Sequence, residues 1–563
     1  MLRHVSVCRF CDERDLSQAI VCPTISAVPH NHFIRGQQGS FPWCDQLTRL
    51  LRTSFGDKET ENLLEDFTLH HLHLSHPALT YLRATFFWLK FNSNDNGLSI
   101  YLLPVQARFV DFKSGEHTYL PCGRTVEPSS VDYDMFNKCI KQCQSEHTTM
   151  CGSSIRRDFT PTRLIDRKKR VLCSAPNRRY LCLSYVWGDE SAEDAASNNQ
   201  ILADVPKTVS DAMFVTLKLG MRYLWVDRYC IDQNNPEEKH NAIRNMNSIY
   251  RNAFVTIVAA AGNSSDYGLP GVSRPRKATS LVKIGSHAFV AVRNPSTDIQ
   301  TSIWYTRGWT YQEMLLSRRR LIFTDHQVYF QCSKHQTVEK LDRAFQSTEL
   351  INLITKNTLF LPTQGGSFNI NDIYIRLQEY YPRTLRYETD NINAFDGIFH
   401  ELSDRTSKVH CVPERGSKTG LYMARRNPHF YGIPLWLQDS EVPYDTETSE
   451  LGQPLDMSED DMVSLRFGIN LGWKIATRGM EVPSTDGGDL VKPTFPSWSW
   501  ASTKDSNHKH SRRQISYDVR PDVISSEIQD AKFIASVTHV SGKHMSMRDY
   551  TAQTDDYTLF HPW

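Results

Sequence analysis

The chain has 563 residues, 40% hydrophobic and 11% aromatic, which is ample for a sizeable core and sets an expectation of two or three domains. Its 64 Lys and Arg residues offset 63 Asp and Glu, so the basic excess that marks nucleic-acid binders and anionic-membrane binders is missing. An odd count of 13 cysteines in so long a chain departs from the pattern of a secreted disulfide scaffold and points to reduced thiols.

In chain order, the opening residues up to Leu16 are interrupted by Arg3, His4, Arg9, Asp12, Glu13 and Arg14, leaving no apolar stretch for a secretory signal. The longest apolar run elsewhere, from Phe254 to Ala261, is far too short to cross a bilayer. A soluble, cytoplasmic protein with no membrane span and no nucleic-acid partner is expected. Residues 1–159 read as an irregular zone rich in Cys and His. Within it, Cys8-x2-Cys11 has zinc-ligand spacing, and Cys143-x3-His147-x3-Cys151 supplies further donors. On one continuous helix Cys143 and Cys151 would lie about 12 Å apart along the axis, too far to share an ion. The expected structural zinc set is therefore Cys8, Cys11 and His147 with Cys151, or with Cys143 in its place. The plainer alternative is a group of buried free thiols and a capping histidine.

Residues 160–335 carry the clearest periodicity. Tyr180–Trp187 is a short apolar run closed by Gly188-Asp189, as a buried strand and its turn would be. Val209, Ala212, Met213, Thr216 and Leu217 recur at helical spacing, with Gly220 as the stop signal. Tyr223–Asp227 reads as a second strand, 237–252 as one helix, and Phe254–Ala259 as a third strand. Strand, helix, strand, helix, strand is the order of two βαβ units, hence an α/β fold with a parallel sheet and right-handed crossovers. Ligands of such sheets bind beyond the carboxyl ends of the strands. Two polar loops leave those ends here, one at Ser184–Glu190 and one at Asp227–Gln233. Residues 336–563 are expected to form a mixed α+β C-terminal region.

The same segments carry a family resemblance. Tyr180–Gly188 ends in Ser-Tyr-Val-Trp-Gly, Tyr223–Gln233 reads Tyr-Leu-Trp-Val-Asp-Arg-Tyr-Cys-Ile-Asp-Gln, and Arg307–Glu313 reads Arg-Gly-Trp-Thr-Tyr-Gln-Glu. Together these resemble the three blocks of fungal heterokaryon-incompatibility (HET) domain proteins. Pro161–Asp166, Asn393–Gly397 and Pro496–Ala501 extend the likeness more weakly, and no Gly-x4-Gly-Lys-Ser/Thr nucleotide-switch motif is present. The resemblance implies a role in nonself recognition and programmed cell death, with self-association or another incompatibility protein as partner. It also implies a core related to Toll/interleukin-1 receptor (TIR) domains, some of which cleave NAD. Trp309-x3-Glu313 matches the spacing of the catalytic TIR segment, and Ser184-Tyr185 occupies the position of a TIR Ser-aromatic pair.

On that reading Glu313 is the candidate catalytic carboxylate of an NAD(P) glycohydrolase. The nicotinamide departs neutral, so a single carboxylate beside an oxocarbenium-like centre suffices. Ser184 and Asp227 would hold ribose hydroxyls, and Trp187 and Asp189 complete the substrate-binding set. Each has a structural alternative. Glu313 would be an ordinary helix carboxylate, Asp227 a helix cap or Arg partner, Ser184 a backbone-bonding serine, and Trp187, Trp225 and Trp309 core anchors. Cys230, in an apolar setting, is expected to be inert. The competing function is a non-enzymatic interaction module acting by self-association.

Overall fold

In a computed structural model of the chain, the residues described are 123–149, 151–152, 161–174, 177–188, 204–277, 281–284, 287–341, 361, 370–387 and 390–404, together with separate strand segments within 67–119 and 409–546. The chain divides into two compact units, one of Met1–Asn234, Asn252–Tyr305 and Ser317–Thr363, the other of Asn235–Arg251, Thr306–Leu316 and Gln364–Trp563.

The first unit opens with strands β1 (Phe67–His76), β2 (Leu79–Phe91) and β3 (Ser99–Pro104), followed by the short hairpin β4 (Arg108–Val110) and β5 (His117–Tyr119). The N-terminal zone is thus not wholly irregular. Its Leu72-His73-Leu74-Ser75 alternation and the Phe86-Phe87-Trp88 run are strand signals that the abundance of His and Cys obscured. Helix α1 (Tyr133–Glu146) starts at Asp132, whose carboxylate accepts the Met135 N–H at 3.0 Å, and it buries Met135, Phe136, Cys139, Ile140 and Cys143 along one face.

A hairpin of β6 (Arg163–Asp166) and β7 (Val171–Ser174) precedes β8 (Tyr180–Ser184), every residue of which is buried. Helix α2 (Lys207–Lys218) then ends at Gly220, whose φ of +72° lets the Met221 N–H reach back to Thr216 and the Gly220 N–H to Leu217. Strand β9 (Tyr223–Trp225) runs directly into the single turn α3 (Asp227–Cys230). The one helix expected over 237–252 is two, α4 (Pro236–Arg244) and α5 (Met246–Asn252). Asn245 separates them, its side chain bonding the Asn241 carbonyl and competing with the helix for that acceptor. Strand β10 (Thr256–Ala259) is buried throughout.

Strands β11 (Leu281–Ile284) and β12 (His287–Arg293) return the chain to β3, completing an antiparallel sheet in the order β1-β2-β3-β12-β11. Short helices α6 (Pro295–Gln300) and α7 (Ile303–Thr306) and the helix α8 (Trp309–Leu316) follow. The strands β13 (Arg319–Phe323), β14 (Val328–Cys332) and β15 (Gln336–Val338) close the second sheet, in the order β15-β14-β13-β10-β8-β9-β6-β7.

That sheet is mixed. Its middle pairs, β13 with β10, β10 with β8 and β8 with β9, are parallel, with Cys182 opposite Thr256 and Leu181 opposite Leu224. Both flanks are antiparallel. The expectation of a parallel sheet is corrected at those flanks for a simple reason. Turns as short as Arg167–Arg170 and Thr324–Gln327 can join only antiparallel neighbours, since a parallel return needs a crossover of a dozen residues or more. The uninterrupted burial of β8, β10, β13 and β14 is that of strands covered on both faces.

In the second unit, α8 lies against α10 (Asp390–Asp404), while α9 (Ile370–Tyr380) supplies Tyr380 to a cluster with Tyr311, Phe395 and Phe399. Reciprocal backbone bonds, Gly308 N–H to Thr384 and Thr384 N–H to Thr306, tie the start of α8 to the segment after α9. Among the described residues no helix is long and apolar enough to cross a membrane.

Candidate functional site

Ser184 is the last residue of β8, held in register opposite Val258 of β10. Its hydroxyl accepts the indole N–H of Trp304 at 2.7 Å, and Ser184 is only 1% exposed. Trp304 is fully buried, and Ser184 serves as an acceptor for its indole N–H. The neighbouring loop is tied down in the same manner. Trp187, half-buried, donates its indole N–H to Asp227 Oδ2 at 2.9 Å, and Asp227 Oδ1 accepts the Arg228 N–H at 2.7 Å where α3 begins. Gly188 turns the chain at φ +84° just beyond. The two loops expected at the carboxyl ends of β8 and β9 are therefore joined by a tryptophan–carboxylate bond. Asp189 lies outside the described residues.

Glu313 sits on α8 in the second unit and is 5% exposed; every residue from Thr310 to Leu316 is buried. Around it, Tyr311 donates to Glu379 at 2.6 Å and stacks on Phe395, while Trp309 donates to Asp390 at 3.2 Å. Gln312, 1% exposed, has neither atom of its amide hydrogen-bonded among the described residues. Cys230 is 3% exposed and burial pushes its thiol up to about 12, which keeps it protonated and un-nucleophilic at neutral pH.

The thiol-rich cluster differs from its sequence expectation. Helix α1 stops at Glu146, and His147 leaves helical geometry at φ −108°, ψ 41°. The Cys151 and Gly152 N–H groups both turn back to the His147 carbonyl, at 2.8 and 3.2 Å. Cys143 and Cys151 are consequently not an axial rise apart. With His147 and Cys332 they form a group whose donor atoms all lie within 4.8 Å of one another. The expected axial separation of Cys143 and Cys151 is corrected, because it assumed a helix continuing past 146. Cys8 and Cys11 lie outside the described residues.

Cys332 ends β14, and the Cys332-x2-His335 spacing is its one signal in the sequence, although the His335 imidazole bonds Thr337 and only its backbone N–H reaches Cys332 Sγ, at 3.2 Å. His147 Nδ1 stands 3.3 Å from Cys332 Sγ. Arg319, 4% exposed, donates Nε–H to Cys143 Sγ at 3.1 Å and its terminal N–H to the Cys151 carbonyl at 2.9 Å. Cys143 and Cys332 pull the Cys151 thiol below its ordinary range, while Cys143 and Cys332 are themselves raised. Three buried thiols and a half-buried imidazole, four N and S donors in one group, are able to hold a metal ion.

Residues 180–313 match a family model described as "Heterokaryon incompatibility protein (HET)". The chain is also similar to "Heterokaryon incompatibility protein 6, OR allele" of Neurospora crassa, 32% identical over 98 residues. That stretch covers 15% of this chain and 14% of the relative, so the likeness spans a small part of either. No solved structure matches the chain.

Proposed function

We propose that this chain acts in the cytoplasm in fungal nonself recognition and the programmed cell death that follows it, through self-association or contact with another incompatibility protein. The observation that carries the reading is the match of residues 180–313 to the HET family model, a segment that includes the parallel strands β8, β9 and β10. Within that role the geometry favours an interaction module over a nucleotide hydrolase. The Ser184 hydroxyl is 1% exposed and engaged by Trp304, and Asp227 is engaged by Trp187, so neither offers a ribose a free partner in this state.

A second reading, an NAD(P) glycohydrolase with Glu313 as its carboxylate, is supported by the burial of Glu313 beside the Gln312 amide, which has no partner among the described residues. A carboxylate removed from water stabilises developing positive charge far better than an exposed one. The test is inducible expression of the full chain in a filamentous fungus, following cell death and nicotinamide release from NAD and NADP. Wild type and Glu313→Gln should kill equally, with no nicotinamide above background. Nicotinamide release by wild type that falls about a hundredfold or more in a folded Glu313→Gln variant would establish the hydrolase instead. Wild-type expression that never impairs growth, alone or beside genetically different partners, overturns the cell-death role itself.

A further inference from the structure

Cys143, His147, Cys151 and Cys332 meet at the junction of α1, the turn that follows it and the end of β14. We propose that these four residues are a closed structural zinc site that pins α1 to the mixed sheet. The proposal stands apart from the HET reading and from the Cys8-x2-Cys11 pair.

The distances fit the ion. Tetrahedral zinc with bonds of about 2.3 Å to sulfur and 2.0–2.1 Å to nitrogen sets its donors roughly 3.5–3.8 Å apart. The four donor atoms here lie within 4.8 Å of one another, and His147 Nδ1 and Cys332 Sγ are already at 3.3 Å. Three sulfurs and one imidazole fill a four-coordinate shell and leave no open position, as structural rather than catalytic zinc requires. Access agrees with that: Cys143 and Cys332 are 1% exposed and Cys151 is 0% exposed.

Charge also balances. Zinc with three thiolates and a neutral imidazole carries one net negative charge, which is costly to bury alone. Arg319 supplies one buried positive charge, bonded both to Cys143 Sγ and to the Cys151 carbonyl. The His335 N–H, 3.2 Å from Cys332 Sγ, adds a backbone donor to a second sulfur. Hydrogen bonds onto the ligating sulfurs are the outer shell that orients metal ligands. A disulfide would use two of the three thiols and leave the third sulfur, the imidazole and the guanidinium without a common partner.

The experiment is elemental analysis of the full chain, purified with reductant and without chelator. About one zinc per chain is expected, because structural zinc is bound tightly enough to survive purification. The Cys8→Ser/Cys11→Ser double variant should keep it, and Cys332→Ser should lose most of it. Less than about a tenth of an equivalent in wild type overturns the site, since zinc of that class is not lost in handling. So does zinc that follows Cys8 and Cys11 and survives Cys332→Ser. Two members of the set found oxidised to one another in place of zinc would overturn it as well. Should Cys332→Ser prove insoluble, cobalt-loaded wild type and His147→Cys decide the matter. Exchanging one nitrogen for sulfur in the shell shifts the visible absorption of tetrahedral cobalt, and an unchanged spectrum removes His147 and the site with it.

Discussion

Ser184, at the carboxyl end of a parallel strand, illustrates how such a residue takes a structural duty. Its hydroxyl is the hydrogen-bond acceptor at 2.7 Å from the buried Trp304 indole. Ser184→Ala should destabilise the protein by about 1–3 kcal/mol in urea unfolding, the usual cost of an orphaned buried donor. In a Trp304→Phe background, where no N–H awaits a partner, the same substitution should cost much less. Additive losses would show that the bond is not what Ser184 contributes.

His326 gives a pH signature of its own. Burial first, and then the positive charges of Arg293, Lys340 and Lys277, push it down to about 3, against the opposing pull of Asp298 with its carboxylate at 3.9 Å. The folded state therefore holds this imidazole neutral where the unfolded chain would protonate it. Its contribution to stability is full above the unfolded value of about 6.5 and is lost progressively as pH falls from there toward the folded value. The slope per such group is at most about 1.4 kcal/mol per pH unit. Stability by urea unfolding should fall less steeply between about pH 7 and about pH 5 for His326→Gln than for wild type. Equal slopes would place the acid sensitivity elsewhere.

Among the elements, α8 and α10 show what close approach asks of a sequence. Gly397 lies on α10, where a Cβ would meet Gln312 Oε1 at 2.6 Å and Asn247 Cβ at 2.9 Å. The Gln312 amide is itself buried and has little room to retreat. Gly397→Ala should therefore destabilise by about 1–3 kcal/mol by overpacking, although alanine is the better helix former by up to about 1 kcal/mol. A stabilised variant in thermal unfolding would mean that the two helices can separate cheaply. The glycine in Asn393-Ala394-Phe395-Asp396-Gly397 thus has a packing reason, with Phe395 two residues before it stacked on Tyr311.

Among the described residues several buried charges are matched locally. Arg276 pairs with Glu339, both almost fully buried, and Arg124 pairs with Asp132 at 2.9 Å while also bonding the Glu339 carbonyl. In the second unit Arg251 pairs with Glu401. A chain with 64 basic and 63 acidic residues can form such pairs without a net field.

What the sequence determined by itself is local and periodic. The unbroken apolar runs of β8, β9 and β10, the helical spacing of α2 and its Gly220 stop are all legible, because backbone geometry and side-chain period act over a few residues. The motifs at Ser184–Gly188, Asp227–Gln233 and Trp309–Glu313 are legible for the same reason. Pairing partners are not. That β6 and β14 flank the parallel strands in antiparallel sense depends on turns and on which hydrophobic faces meet, not on any period within the strands. Whether a serine or carboxylate at a strand end is free or already engaged depends on a tryptophan far off in the sequence, as Trp304 is from Ser184. The thiol cluster shows both limits. The helix that seemed to hold Cys143 and Cys151 apart ends at Glu146, and its fourth member, Cys332, stands 185 residues from His147. The spacing of Cys143, His147 and Cys151 is legible, but only tertiary packing brings Cys332 to them, because convergence in three dimensions leaves no spacing between residues so far apart in the chain.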